Sequence, residues 1–155
     1  MWARGENIMM GYWNDPQQSS LVLKDGWLRT GDVGYIDQDG YLFLEGRRSD
    51  MIKSGAHRIN PKEIEEVIAE LEGVAEVTVV GVDDEIMGQV IKAVVIPRNG
   101  TGLDRRRILM HCRTNLAAYK IPKFVEFASE LPKTASGKIK RFLLSGQGII
   151  NEEQK

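Results

Sequence analysis

The hydrophobic pattern from residue 60 onward alternates between helical and extended spacing. Asn60 and Pro61 are suited to the first positions of a helix. The apolar residues that follow recur every three or four positions, as on the buried face of a helix, and they are Ile64, Val67, Ile68 and Leu71. The pattern therefore predicts a helix that ends at Gly73.

Two strands and a second helix are expected after this helix. Residues 74–82 and 89–97 are rich in β-branched side chains, which favour strands. Asp104 is a suitable N-cap for a helix that reaches about residue 118, and residues 123–127 return as a short strand. A three-stranded sheet with helices packed on it is expected, which places this part of the chain in the α+β class.

The preceding residues contain the signals of two β-hairpins. Residues 33–37 and 41–45 are strand-like segments joined through Asp39-Gly40, where glycine supplies the positive φ of a tight turn. A second hairpin is expected from residues 51–53 and 57–59. The first 47 residues are thus predicted to be irregular and β structure.

The polar stretch between the two hairpins is the best candidate for a linker. It reads Gly46-Arg47-Arg48-Ser49-Asp50. We therefore divide the chain into a β-rich segment at 1–48, a small α+β domain at 49–145 and a polar tail at 146–155.

The composition of the chain mainly excludes certain classes of function. The 155 residues are 42% apolar and 28% charged, with a net charge of −1, so no general nucleic-acid or membrane surface is expected. The single cysteine, Cys112, lies in a helical pattern and is expected to be a buried structural thiol in a reducing, cytoplasmic setting. No metal site is expected, because His57 has no second ligand at suitable spacing.

A loop near the end of the chain carries the strongest chemical signal. Residues 132–141 combine a proline, small residues and Gly137 around a lysine, which should place Lys138 on a mobile tip instead of against the core. A lysine is a flexible point charge suited to a phosphate or a developing oxyanion. Composition alone favours the interpretation that this segment is a solvated basic tail.

Three motifs in this order carry a family resemblance. They are Asp25-Gly26-Trp27-Leu28-Arg29-Thr30-Gly31-Asp32-Val33-Gly34, the segment from Gly46-Arg47 through the hairpin to Arg58-Ile59-Asn60-Pro61, and the Lys138 loop. Each is weak alone. Together they make the chain resemble the C-terminal part of the adenylate-forming, or AMP-binding, superfamily, and in particular that of an acyl-CoA synthetase. The resemblance covers about residues 5 to 143.

The resemblance implies roles for three residues in the adenylation step. Asp32 matches the aspartate that accepts hydrogen bonds from the ribose hydroxyls of ATP and AMP, and Arg47 matches an arginine that also holds the nucleotide. Lys138 matches the lysine that bridges the substrate carboxylate and the α-phosphate. Its basic neighbours Lys133, Lys140 and Arg141 are expected to be solvated or peripheral to the nucleotide.

The resemblance also implies a hinge and a second reactive surface. The hinge position is Ser49, where the family usually carries Asp or Lys, and Asp50 is the alternative pivot. Lys53, Gly55 and Arg58 match the face used for thioester formation and the pantetheine tunnel wall. Ala56 stands at a position that is commonly glycine in the family, and its methyl group would slightly narrow the approach of a pantetheine arm. The resemblance therefore supports CoA use less firmly than adenylation.

The function implied is the C-terminal portion of an ATP-dependent carboxylic acid:CoA ligase. ATP and CoA are the expected cofactors, with Mg²⁺ entering with ATP, and the expected partner is the N-terminal domain. The phosphate-binding loop and the acyl pocket have no counterpart in these 155 residues, so the chain alone is expected to be inactive. The alternatives are an adenylation domain that loads a carrier protein and a non-catalytic, truncated binding module.

The glutamates of the first predicted helix are expected to form its solvated side. They are Glu63, Glu65, Glu66, Glu70 and Glu72. Their spacing places them mostly away from the apolar stripe.

Overall fold

The computed structural model describes residues 1–145, so the predicted polar tail at 146–155 lies outside the described residues. The chain divides into two compact units, Met1–Ser49 and the part from Asp50 onward.

The first unit consists of one short helix and five short strands. Helix α1 spans Pro16–Val22, and the Asp15 carboxylate caps it by accepting a hydrogen bond from the Gln18 backbone N–H at 2.9 Å. Three strands form an antiparallel sheet with β3 in the middle, namely β1 (Trp2–Ala3), β2 (Leu23–Lys24) and β3 (Trp27–Arg29). Strands β4 (Asp32–Ile36) and β5 (Leu42–Arg47) form the first predicted hairpin.

A β-bulge in this hairpin depends on a glycine. The register shifts between Val33 and Gly34, and a Cβ atom added to Gly34 would lie 2.3 Å from the carbonyl oxygen of Phe43. Only glycine permits this close approach of the two backbones. The bulge places Asp32 opposite Arg47 at the open end of the hairpin.

The first unit has no buried core. None of its 49 residues is fully buried, although several are large and apolar. Those exposed on the β4–β5 hairpin are Tyr35, Ile36, Tyr41, Leu42, Phe43 and Leu44. Such a concentration of exposed apolar surface on a hairpin is typical of a segment that packs against further protein.

The second unit contains the helices and strands predicted from residue 50 onward, together with a 3₁₀ turn and a short last helix that were not predicted. In chain order they are β6 (Ile52–Ser54), β7 (His57–Ile59), α2 (Pro61–Ala69), β8 (Val74–Asp84), β9 (Gly88–Pro97), α3 (Arg105–Asn115), a 3₁₀ turn (Ala118–Lys120), β10 (Phe124–Phe127) and α4 (Arg141–Ser145). Asn60 and Asp104 cap α2 and α3 through their side chains. Helix α3 ends earlier than expected because Leu116 is already extended.

The sheet of this unit has five strands. Strand β9 is central and pairs antiparallel with β8 and parallel with β10. The second hairpin, β6–β7, joins the same sheet where Ser54 pairs with Gly88. The α+β class is confirmed, and the predicted three-stranded sheet is extended by the hairpin.

Two apolar clusters lie on opposite faces of this sheet. Helices α2 and α3 cover one face, where Ile64, Ile68 and Ile108 are fully buried, and Leu131 and Leu144 belong to the cluster on the other. Cys112 is fully buried in the first cluster, and burial raises the pKa of its thiol to about 11. The prediction of a buried thiol is confirmed. No helix among residues 1–145 is long and apolar enough to cross a membrane.

The turn between β8 and β9 is organised by one carboxylate. Asp84 accepts hydrogen bonds from the backbone N–H groups of Ile86 and Met87 at 3.1 and 3.0 Å, and Lys123 Nζ lies 2.7 Å from its second oxygen. The Lys123 hydrogen bond, followed by the two backbone N–H groups, lowers the pKa of Asp84 from 3.8 to about 2.

Removal of residues 1–49 should leave the second unit folded. Both apolar clusters are built only from residues beyond Asp50, so the shortened chain should keep the urea midpoint of the whole chain. Equilibrium unfolding followed by circular dichroism measures this. A large fall in the midpoint would contradict it.

Asp84→Asn should weaken the dependence of stability on acid pH. Because the folded state lowers the pKa of Asp84, its ionisation favours folding above pH 3.8, and this contribution is lost as the pH falls towards about 2. The variant should be less stable near neutral pH and lose less stability across that window. Urea midpoints at several pH values test this, with the exposed neighbour Asp83→Asn as the control that keeps the wild-type profile.

Candidate functional site

The first unit brings Asp32 and Arg47 together. They are direct register partners at the open end of the β4–β5 hairpin, and Arg47 Nε lies 3.4 Å from Asp32 Oδ1. The chain before the hairpin is held by two hydrogen bonds, from Asp32 N to Thr30 Oγ1 at 3.1 Å and from Arg48 N to the Gly31 carbonyl at 2.9 Å. The two residues predicted for nucleotide binding therefore share one location.

A pocket of about 210 Å³ opens beside Asp32. Its lining consists of Met1, Trp2, Arg29, Gly31, Asp32, Val33, Gly34 and Arg48. A carboxylate has two acceptor oxygens, so it can accept hydrogen bonds from a diol while it remains paired with a guanidinium. This combination suits a ribose with phosphates attached.

The Lys138 loop is a closed turn. Lys133 and Ile139 form an antiparallel bridge, and Thr134 N donates to the Lys138 carbonyl at 2.8 Å. Within the turn, Lys138 N donates to Thr134 Oγ1 at 3.1 Å, and Gly137 has a φ of 81° that an L-residue rarely adopts. The turn thus has an ordered backbone, and Lys138 is exposed directly after the bend, opposite Thr134.

The ammonium group of Lys138 is available for an external anion. Among residues 1–145 it has no hydrogen-bond or ion-pair partner, whereas its neighbour Lys133 is paired with Glu76 at 2.7 Å. Ile139, directly after Lys138, packs against the second apolar cluster. The lysine is therefore exposed on a turn whose base is anchored.

Two residues expected to be solvated are structural. The Glu65 side chain is 15% exposed and the Arg141 side chain 30% exposed, and Arg141 Nη1 lies 2.8 Å from Glu65 Oε1. Glu65 Oε1 also accepts a hydrogen bond from the Val79 backbone N–H at 2.7 Å. The expectation of a solvated side chain was wrong for Glu65 and for Arg141, because β8 is an edge strand whose free backbone groups require partners.

The second hairpin presents Lys53 and Arg58 on its exposed face. They are direct cross-strand partners, while Ile52 and Ile59, the neighbouring pair, are buried in the first cluster. Like charges opposite one another destabilise a sheet, and neither side chain has a carboxylate partner among residues 1–145. This placement favours an anionic ligand at the hairpin.

The tip of the hairpin depends on Gly55. Its φ is 55°, its N–H donates to the Met87 carbonyl at 2.8 Å, and an added Cβ would lie 3.1 Å from Met87 Cε. A further support, which no signal in the sequence indicates, is the hydrogen bond that Lys53 N donates to Gln89 Oε1 at 2.9 Å. The tip of the β8–β9 turn therefore holds the hairpin in place.

His57 is engaged by an aromatic ring. It stacks on Tyr119 with ring centroids 4.0 Å apart and an angle of 9° between the planes. The next residue, Lys120, is paired with Glu63, and this hydrogen bond raises the pKa of Lys120. In the described part of the chain, no cluster of His, Cys, Asp or Glu could hold a metal ion.

The predicted hinge residues lie at the division between the two units. Ser49 is the last residue of the first unit and Asp50 is the first residue of the second. A boundary at this point is compatible with a change of orientation, and the hinge role itself remains a prediction.

Comparisons with known proteins agree on one family. Residues 63–138 match the model of the AMP-binding enzyme C-terminal domain. The chain is 50% identical to an indoleacetate–CoA ligase of Aromatoleum aromaticum over 90% of its length and 27% of the relative. It is 44% identical to a long-chain-fatty-acid–CoA ligase of Bacillus subtilis over 99% of its length and, again, 27% of the relative.

A solved structure gives the same result. ATP-bound MatB from Rhodopseudomonas palustris is similar with a TM-score of 0.87 and 35% identity, over 92% of this chain and 28% of that one. The chain thus spans about a quarter of the length of these relatives. Together with the closed lysine turn, these likenesses show that the chain belongs to the adenylate-forming, AMP-binding enzyme family and corresponds to the C-terminal part of its CoA ligases.

Proposed function

We propose that this chain is the C-terminal part of an ATP-dependent carboxylic acid:CoA ligase. In the first half-reaction, the carboxylate attacks the α-phosphate of ATP, which gives an acyl-adenylate and releases pyrophosphate. In the second, the CoA thiol displaces AMP and forms the thioester. The observation that carries the proposal is the closed turn that exposes an unpaired Lys138 ammonium within a match to this family.

Lys138 is the proposed catalytic residue of adenylation. Its ammonium would lie between the carboxylate and the α-phosphate and offset the negative charge that accumulates there. Asp32 would accept hydrogen bonds from the ribose hydroxyls, and Arg47 would hold the nucleotide beside it. Their 3.4 Å contact supports a shared role, since it places both at the mouth of one hairpin.

The β6–β7 hairpin is the proposed surface for thioester formation. The unpaired cations Lys53 and Arg58 suit the phosphates of CoA, and Gly55 keeps the tip of the hairpin narrow for a pantetheine arm. A change of orientation between the half-reactions would use Ser49 and Asp50 as pivots. The exposed methyl group of Ala56 narrows this approach only slightly.

ATP and CoA are the proposed cofactors, and the proposed partner is an N-terminal domain that supplies the phosphate loop and the acyl pocket. ATP in the related MatB structure supports the first of these. Mg²⁺ would enter with ATP, because this ion is usually bound in part by the phosphates of the substrate. The relatives are named for acids as different as indoleacetate and long-chain fatty acids, so the acyl substrate is left open.

Lys138→Ala tests the central assignment in the full-length enzyme that carries this chain. Adenylate formation should fall by ~10²–10³-fold, because a preorganised charge is lost from the transition state. Thioester formation from a supplied acyl-adenylate should be nearly unchanged. Pyrophosphate release and acyl-CoA formation, measured separately, give the two rates.

The control is Lys140→Ala, which removes a nearby charge outside the proposed site. It should change neither rate by more than a few fold. An equal loss of both half-reactions in Lys138→Ala would contradict the role assigned to Lys138.

Lys53→Gln with Arg58→Gln tests the acceptor. The double variant should raise the KM for CoA and leave adenylate formation unchanged, because these two cross-strand cations are proposed to contact CoA alone. Transfer of the acyl group to a phosphopantetheinyl carrier protein is measured in parallel. If the unmodified enzyme transfers the acyl group faster to the carrier protein than to CoA, its function is carrier loading. If the unmodified enzyme forms no adenylate at all, the result favours a non-catalytic binding module.

A further inference from the structure

Two ion pairs connect the Lys138 turn to the rest of the second unit, one on each side. Before the turn, Lys133 pairs with Glu76, and these side chains are 40% and 43% exposed. After the turn, Arg141 pairs with Glu65, and these are 30% and 15% exposed. An exposed pair is screened by water and contributes little, whereas a partly buried pair is more costly to break.

The Arg141 pair is part of a network on the free edge of β8. Arg141 Nη1 donates to the Val79 carbonyl at 3.0 Å, and Nη2 donates to Glu65 Oε2 at 3.0 Å. The Val79 N–H and the Thr78 hydroxyl both donate to Glu65 Oε1, at 2.7 and 3.3 Å. Loss of the guanidinium would leave the Val79 carbonyl and Glu65 Oε2 without the donor that they have here, while Glu65 Oε1 would keep its two other donors.

This network lies close to Lys138 along the chain. Ile139 and Lys140 alone separate Lys138 from Arg141, and Lys140 N donates to the Pro132 carbonyl at 2.7 Å. Helix α4 begins at Arg141, so the guanidinium fixes the point at which the turn ends and the helix starts. A displacement of Arg141 would therefore be transmitted directly to the turn.

We propose that Arg141, held by Glu65, is a positioning residue that fixes the direction of the Lys138 turn for adenylation. The inference rests on the proposed function of Lys138. Arg141 would not touch the substrate. The planar guanidinium group of Arg141 donates to the Glu65 carboxylate and to the Val79 carbonyl at the same time. A lysine ammonium cannot hold two such acceptors with the same rigidity.

The kinetic test uses Arg141→Gln in the full-length enzyme that carries this chain. We expect the kcat of adenylate formation to fall by ~10–100-fold, because a displacement of about 1 Å can cost that much. The KM for ATP should stay within about threefold, because Lys138 is proposed to act mainly in the transition state of adenylation. The rate of thioester formation from a supplied acyl-adenylate should also stay within about threefold, because that half-reaction does not use Lys138. Lys133→Gln, which breaks the exposed pair on the other side of the same turn, should stay within about threefold in both half-reactions.

A second measurement, on the 155-residue chain itself, is independent of catalysis. Arg141→Gln should accelerate hydrogen exchange at least ~10-fold at the amides of Gly137, Lys138 and Lys140, which donate within the turn, because local opening exposes them. Amides of the β8–β9 pairing should keep their protection, which shows that the domain is folded. Lys133→Gln should leave the turn amides unchanged.

Glu65→Gln is the milder variant. It keeps the size of the side chain but removes the charge that holds Arg141, so it should reproduce both effects in weaker form. Unchanged turn amides in both Arg141→Gln and Glu65→Gln, or equal losses in the two half-reactions, would overturn the positioning role. Normal adenylation by Lys138→Ala would instead contradict the proposed function of Lys138. The hydrogen-exchange result does not depend on that function, so the two failures can be told apart.

Discussion

The antiparallel pairing of β8 with β9 is the contact on which the rest of the second unit depends. It runs from Val74 opposite Pro97 to Asp84 opposite Gly88, and its side chains alternate between the two faces of the sheet. Val79 therefore enters one apolar cluster and Val80 the other. The free edge of β8 receives Glu65 and Arg141, and the turn after it supports the second hairpin through Met87. Both proposed reactive surfaces are thus attached to one strand pair.

In the second unit, charge is distributed differently at structural positions and at proposed functional positions. Lys120, Lys123 and Arg141 are each paired with a carboxylate, so their charge is used within the fold. Lys53, Arg58 and Lys138 have no carboxylate partner among residues 1–145 and are exposed. An unpaired cation on an ordered turn or hairpin is ready to bind an anion, because no internal salt bridge has to be broken first.

In the first unit, the register of two strands positions proposed functional residues without a buried core. It buries none of its residues fully, yet the bulge at Gly34 places Asp32 opposite Arg47 with no help from a hydrophobic interior. Its exposed apolar hairpin fits the finding that the chain spans about a quarter of its relatives' length. The proposed nucleotide contacts would then be completed by the remainder of the enzyme.

Local signals in the sequence determined the helix caps at Asn60 and Asp104, both hairpins and the turn around Lys138, because each depends on neighbouring residues. The motifs also identified the family. Only the tertiary structure decided that Ser54 pairs with Gly88 and that Glu65 meets Arg141 at the edge of β8. A glutamate on the flank of a helix looks solvated in the sequence. Its environment is set by the strand that packs beside it, and the unpaired backbone groups of an edge strand cannot be read from helical periodicity.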